Sequence, residues 1–278
     1  MKSKINILIA GGDMRQIYCA EKLSDIYSVK VIGIDCDMKS DLSDDKFDCV
    51  VFPVPPLDEK GNISTPCSAD TVQADTLKKF MKDDCIIFTG RYDKRLDEMF
   101  SNRIIDYMSR EDLCLKNAVP TAEGAVEIAL AELPVTLSGL SVLIVGMGRI
   151  GTALAEILKG FGADITVAVR NARGAGKARV TGVKSVCMKD MGANYGLVFN
   201  TAPEVVFSRD ILEKFDDDTL FIDLASRPGG FDFRSASELN KKVIWALGLP
   251  GKTAPVTAGE IVAETITNIL SEGDDEYE

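Results

Sequence analysis

The chain has 278 residues and no histidine, and that single absence removes several kinds of chemistry. Ser-His-Asp and Cys-His catalysis, His-ligated zinc and imidazole proton transfer are all excluded. Any proton that moves must use Asp, Glu, Lys, Tyr, Cys or water. Paired cysteines are missing as well. The seven cysteines stand singly at 19, 36, 49, 67, 85, 114 and 187, without a C-x-x-C pair. They read as reduced structural thiols of a cytosolic protein, and no metal site is expected. Long apolar runs are also absent. The most apolar stretch, 142–158, is broken by Arg149 and Glu156, so no uninterrupted apolar run approaches the ~18 residues of a membrane span. The strand-like opening Ile5–Ala10 is too short for a signal-peptide core. Positive charge is scarce: 32 Lys and Arg face 43 Asp and Glu, for a net charge of −11. That balance argues against a general nucleic-acid-binding surface. Five of the carboxylates, however, fall in the last eight residues, Ser271–Glu278. The rest of the chain can therefore still hold a local anion site.

What is present is a β-α-β rhythm, twice over. With 46% hydrophobic and 27% charged residues the chain can build large cores, and its length suits two domains. Strands are expected at Ile5–Ala10, Val29–Ile34, Asp48–Phe52 and Cys85–Thr89, with helices over Met14–Leu23 and Thr71–Phe80. Ser40–Asp48 and the proline-bearing Pro53–Pro66 read as loops. A long amphipathic helix is expected from Thr121 to Leu133, bounded by Pro120 and Pro134. A second series of strands follows at Ser141–Val145, Asp164–Val169, Leu197–Asn200, Thr219–Asp223 and Lys242–Trp245. The last helix is expected over Ala258–Leu270, with Thr257 and Glu260 as its capping box. The expected fold class is α/β: two doubly wound parallel-sheet domains. The boundaries are 1–115 plus 256–272 for a substrate-side domain, 116–255 for a Rossmann domain, and 273–278 for an acidic tail.

The sharpest motif is Gly146-Met-Gly-Arg-Ile-Gly151. It follows the predicted strand Ser141–Val145 and opens the predicted helix Thr152–Lys159, the context a dinucleotide fingerprint requires. Its first glycine makes the tight turn and its second lets backbone approach a pyrophosphate. Its third lets helix and strand pack closely. Gly146, Gly148, Arg149, Ile150 and Gly151 are thus candidate cofactor residues. The end of the next strand bears on which cofactor binds. An NAD site places Asp or Glu there; this chain has Arg170-Asn171-Ala172-Arg173, then Lys177 and Arg179. Guanidinium groups bind a 2′-phosphate, so Arg170, Asn171 and Arg173 predict NADP(H), and FAD is disfavoured. Later strand ends should line the nicotinamide half: Thr201, Ala202 and Pro203; Leu224, Ala225 and Ser226; and Leu247–Pro250. A decoy sits at Gly11-Gly-Asp-Met-Arg-Gln16, also after a strand. It lacks a third glycine, and Asp13 would repel a pyrophosphate. This loop reads instead as lining an interdomain cleft on the substrate side.

These motifs together resemble the dipicolinate synthase A-subunit family. The resemblance rests on Gly11–Gln16, Thr121–Ala125, Gly146–Gly151, Asp223-Leu-Ala-Ser-Arg-Pro-Gly-Gly230 and Leu249–Gly259, and covers nearly the whole chain except the tail. It implies a flavodoxin-like N-terminal domain, a Rossmann domain and a cytoplasmic role in the mother cell of a sporulating bacterium. It implies, as partner, the flavoprotein-like B-subunit of dipicolinate synthase. The reaction it implies is NADP-dependent conversion of a dihydrodipicolinate-level intermediate to pyridine-2,6-dicarboxylate. No nucleic-acid or membrane partner is expected, and a homo-oligomer is. The small dicarboxylate substrate needs cations: Arg15, Arg227 and Lys252 are candidates. Ser226, Thr253 and the amides of Gly229 and Gly230 would complete carboxylate binding. Proton removal falls to Asp13, Glu123, Lys252 or water; Lys252 and Asp13 rank first, with Ser226 beside them. Two alternatives use the same residues: an NADP-dependent reductase of another small keto or imino acid, and a non-catalytic NADP-binding regulatory subunit.

Overall fold

The computed structural model describes residues 4–272; the tail expected at 273–278 lies outside the described residues. The chain forms two compact units. Among the described residues, one comprises those up to Asn117 together with those from Ala254 onward, and the other is Ala118–Thr253.

In the first unit, strands β1 (Asn6–Ala10), β2 (Ser28–Ile32), β3 (Phe47–Val51), β4 (Met81–Thr89) and β5 (Ile104–Asp106) make one sheet. Its order is β2-β1-β3-β4-β5, all parallel, the doubly wound flavodoxin-like arrangement. Both faces of the sheet are covered, which is why the strands read as unbroken apolar runs. Ile7 and Ile9 of β1 pack with Cys19 and Leu23 of α1 (Met14–Ser24), while Leu8 and Ala10 pack with Leu57, Ile63 and Leu77. The second face is covered by the 53–80 excursion, whose regular part is a 3₁₀ turn over Ala74–Phe80 rather than an α-helix starting at Thr71. The short helix α2 (Lys94–Met99) then leads to β5.

The long helix α3 (Glu111–Glu132) begins ten residues before the expected Thr121 and carries Pro120 inside it. Proline removes one hydrogen bond and costs about 3 kcal/mol in a helix interior. Here Leu113, Ala118, Ala122 and Ala125 are buried on both sides of it, and that burial holds the helix through the interruption.

The second unit has β6 (Ser141–Val145), α4 (Arg149–Gly160), β7 (Asp164–Val169), α5 (Ala172–Val180), β8 (Lys184–Cys187) and β9 (Leu197–Asn200). It continues with α6 (Arg209–Leu212), β10 (Leu220–Asp223), α7 (Phe233–Glu238), β11 (Lys242–Trp245) and α8 (Leu249–Thr253). The parallel sheet runs β11-β10-β9-β6-β7-β8. This is the Rossmann order, reversing direction between β6 and β9. Val142 and Ile144 face one core and Leu143 and Val145 the other, the latter filled by stacked and edge-on Phe207, Phe215, Phe221 and Phe231.

Helix α9 (Pro255–Glu272) belongs to the first unit. It packs on α1, where Gly259 lies so close that a Cβ would come within 2.5 Å of the Arg15 carbonyl. The expected capping box is not formed. The Ala258 amide already bonds to the Ala254 carbonyl at 3.0 Å, so Thr257 sits inside the first turn, and Pro255 occupies the opening position that suits it. No helix of the described residues is long and apolar enough to cross a membrane.

Candidate functional site

The switch point of the second sheet lies between β6 and β9. Register aligns Val145 with Asn200, Asn200 with Asp223, and Asp223 with Trp245. The residues that follow these four therefore emerge side by side from the carboxyl edge of the sheet, where ligands bind in such folds.

The glycine turn after β6 has three different reasons for its three glycines. Gly146 has φ +96°, and a Cβ there would come within 2.6 Å of the Thr201 hydroxyl oxygen, which itself donates to the Val145 carbonyl at 2.8 Å. Gly151 faces the Gly146 carbonyl so closely that no side chain fits between them. Gly148 differs: its φ is −83°, and nothing lies within 4 Å of where its Cβ would stand. It caps α4 without any side-chain hydrogen bond to the first-turn amides. Open space before an uncapped helix N-terminus fits a pyrophosphate. Arg149, Ile150 and Gly151 supply that first turn.

Beneath the loops that follow β9 and β10 sits a buried polar latch. Asp223 and Asn200 are both 0% exposed. Asp223 accepts from Asn200 Nδ2 at 2.8 Å, from the Ala225 amide at 3.1 Å and from the Gly230 amide at 2.8 Å. Asn200 also bonds the Ala202 amide and carbonyl. The latch thereby shapes both loops, 201–203 and 224–230. It also corrects one expectation. The Gly230 amide is taken by Asp223 and the Gly229 amide by the Ser226 carbonyl at 2.8 Å, so neither is a free donor for a substrate carboxylate. Ser226 and Arg227 are exposed at the tip of this loop. The Arg227 guanidinium lies 5.9 Å from the centre of the Trp245 ring, and that indole donates to the Ala225 carbonyl at 2.9 Å. Trp245 was not singled out from the sequence, although the chain's one tryptophan ending a strand was a usable signal. Lys252 and Thr253 are exposed on α8.

The basic run after β7 divides. Arg170 and Arg173 stand exposed at the strand end. Asn171 caps α5, accepting from the Gly174 amide at 3.0 Å. Lys177 and Arg179 fall in the last turn of α5; Arg179 is about 9 Å of helix rise beyond Arg173, toward the opposite edge of the sheet. Beside Arg170 lies a groove of about 370 Å³ lined by Cys187, Met188, Lys189, Glu204 and Ile211. Nothing in the sequence alone marked Glu204.

In the first unit the switch point is filled by the chain itself. The Gly12 amide donates to the Ser64 carbonyl at 2.8 Å, and Thr65 packs against Gly11 and Gly33. The excursion after β3 thus occupies the place of a nucleotide phosphate, a stronger reason for the decoy than the missing glycine. Asp13 caps α1 and holds Arg15 through Nε at 2.9 Å and Nη2 at 2.8 Å. Burial works against the Arg15 charge, but the Asp13 carboxylate outweighs it and holds the guanidinium protonated. Asp13, expected as a proton acceptor, is therefore a helix cap and counter-ion with both oxygens engaged. Next to it the Gln16 amide nitrogen is buried without a partner, beside a pocket of about 10 Å³, the room of one water. Glu123 is exposed on α3.

Two parallel-sheet units, one of them carrying a nicotinamide-dinucleotide cradle at its switch point, define a dehydrogenase-type protein. Residues 121–228 match the family of the D-isomer specific 2-hydroxyacid dehydrogenase NAD binding domain, and residues 6–109 match the N-terminal domain of the dipicolinate synthase A-subunit. The dipicolinate synthase A-subunit of Bacillus subtilis (strain 168) is 30% identical, with 98% of each chain covered. The crystal structure of the A-subunit from Bacillus halodurans superposes with a TM-score of 0.89 at 26% identity, over 96% of this chain and 98% of that one. The structure of the same protein from Bacillus subtilis gives a TM-score of 0.88 at 27% identity, over 98% and 97%. The chain belongs to the dipicolinate synthase A-subunit family.

Proposed function

We propose that this chain is the NADP-binding subunit of a dipicolinate-forming oxidoreductase in the cytoplasm of the mother cell of a sporulating bacterium. In this reading it acts on a dihydrodipicolinate-level intermediate together with a flavoprotein-like second subunit, and as a homo-oligomer. The observation that carries the reading is the open Gly148 cradle in a chain matched over nearly its whole length by A-subunit relatives.

Aromatising the reduced ring removes a hydride and a proton, and a hydroxylated intermediate must also lose water. Bound NADP⁺ supplies the hydride acceptor. The chain's residues do the rest. The amides of Arg149, Ile150 and Gly151 hold the pyrophosphate, while Arg170 and Arg173 hold the 2′-phosphate. Thr201, Ala202, Pro203, Leu224 and Ala225 form the walls of the nicotinamide end. Arg227, steadied over Trp245, binds one substrate carboxylate, with Ser226 and Thr253 as further donors. With Asp13 engaged by Arg15, the neutral amine form of Lys252 is the proton acceptor and becomes the ammonium, because no imidazole exists to do this.

The test is an absorbance assay for dipicolinate with purified chain, substrate and NADP⁺, with and without the second subunit. NADP⁺-stimulated product is expected in at least one mixture; its absence from both refutes the redox role. Lys252→Met should lower kcat by roughly 10²–10⁴-fold, the worth of a general base, with NADPH binding retained. Arg170→Asp should weaken NADPH far more than NADH, and equal loss refutes the phosphate assignment. The 2-hydroxyacid dehydrogenase match over 121–228 favours, as a second reading, reduction of another small oxo acid, which a substrate panel separates.

A further inference from the structure

We propose that Glu204 is a specificity-determining residue that restrains how strongly this site prefers a 2′-phosphorylated cofactor. The proposal rests on the reading of Arg170 as a 2′-phosphate ligand.

The position directly after β7 is where a ribose-binding carboxylate stands in an NAD site, and this chain puts Arg170 there. A carboxylate nevertheless returns to the same groove from another strand end. Glu204 lies in the loop after β9, and Arg170 Nη1 is 3.0 Å from it. Both side chains line the groove beside β8. They are 56% and 47% exposed, so the pair is weak in itself and open to competition. Lys189 lines the same groove, and Arg173 is exposed three residues beyond Arg170.

The two cofactors meet this pair differently. A 2′-phosphate carries about −2 charge against one for Glu204, and displaces it from Arg170. The displaced carboxylate then stands within a few ångströms of like charge, which costs affinity. Without the phosphate the ion pair stays intact, and Glu204 is placed to accept from ribose hydroxyls. One residue thus opposes the phosphorylated cofactor and favours the other. Glutamine keeps the shape of Glu204 and removes only its charge.

Calorimetric titration of the full chain with 2′,5′-ADP and 5′-AMP separates these effects without turnover. Glu204→Gln should bind 2′,5′-ADP roughly five- to tenfold more tightly, bind 5′-AMP no better than wild type, and keep its melting temperature. The gain should shrink at high salt. An unchanged ratio of the two affinities in Glu204→Gln overturns the proposal. The reading beneath it fails by a different result: wild type preferring neither ligand and Arg170→Gln changing nothing. In that event the proposal falls with that reading, whereas a wild type that prefers 2′,5′-ADP and an unchanged ratio in Glu204→Gln overturn the proposal alone.

Discussion

Three thiols are locked away in the first unit. Cys19, Cys49 and Cys85 are 0%, 2% and 1% exposed. Burial pushes the Cys49 and Cys85 thiols up to about 12, and the Cys19 thiol further still. Thiolate is the reactive form, so these residues are inert at neutral pH. Cys187 is exposed at the end of β8. Brief alkylation at pH 8 followed by peptide mass spectrometry should modify Cys187 and spare Cys19, Cys49 and Cys85 until denaturant is added. Labelling of Cys49 in the native protein would contradict this packing. The solitary spacing of the cysteines made their structural role legible. Their burial was not legible, because a cysteine in an apolar run has the same sequence signature on either face of a sheet.

The glycine turn and its helix offer a sharper contrast at the scale of one element. Gly151 has no room for a Cβ, whereas Gly148 has open space around it. Gly151→Ala should therefore lower the melting temperature. Gly148→Ala should leave it within about a degree of wild type, because its φ suits any residue, yet, on the proposed reading, weaken nicotinamide-dinucleotide binding at least roughly tenfold by entering the space assigned to the pyrophosphate. Thermal melts and a fluorescence titration of both variants check this pair; equal destabilisation would undo the distinction. The element-level sequence reading succeeded where strands carry an apolar run. Ser141–Val145, Asp164–Val169, Leu197–Asn200 and Lys242–Trp245 match the observed bounds. It missed β8, an edge strand whose side chains are mostly exposed and so carry no apolar run. It began α3 only after Pro120, because local propensity does not register the burial that carries the helix through that proline. The glycine fingerprint was readable from three spaced residues. The Asn200–Asp223 latch was not, since two polar residues 23 positions apart become partners only through strand register.

For the whole molecule, the missing histidine becomes a statement about stability. Several carboxyls are held below their ordinary range: Asp93 by Arg95 and Asp112 by Arg110. Burial tends to raise Asp48, but Lys82 and the Asn6 amide outweigh it. Groups shifted down contribute stability that is present above the unfolded value near 4 and is lost as pH falls through the folded one. The raised thiols of Cys19, Cys49 and Cys85 act in the opposite sense. Their contribution is complete below the unfolded value of about 8.5 and declines as pH climbs toward the folded one. With no imidazole to titrate between these limits, the urea midpoint should be flat from about pH 5 to 8 and fall on both sides. A slope centred near pH 6.5 in urea titrations would contradict this account.

Helix α9 has a consequence for the order in which the protein comes into being. It supplies Ile261, Val262, Ile266 and Ile269 to the same core as Ile7, Ile9 and Leu23, yet it is the last described element of the chain. On the ribosome the opening strands emerge first, but the wall that seals them against water is translated after the whole of Ala118–Thr253 has passed. The nucleotide-binding unit, contiguous in sequence, is free to fold while its predecessor still waits. The half of the protein made first is thus the half finished last.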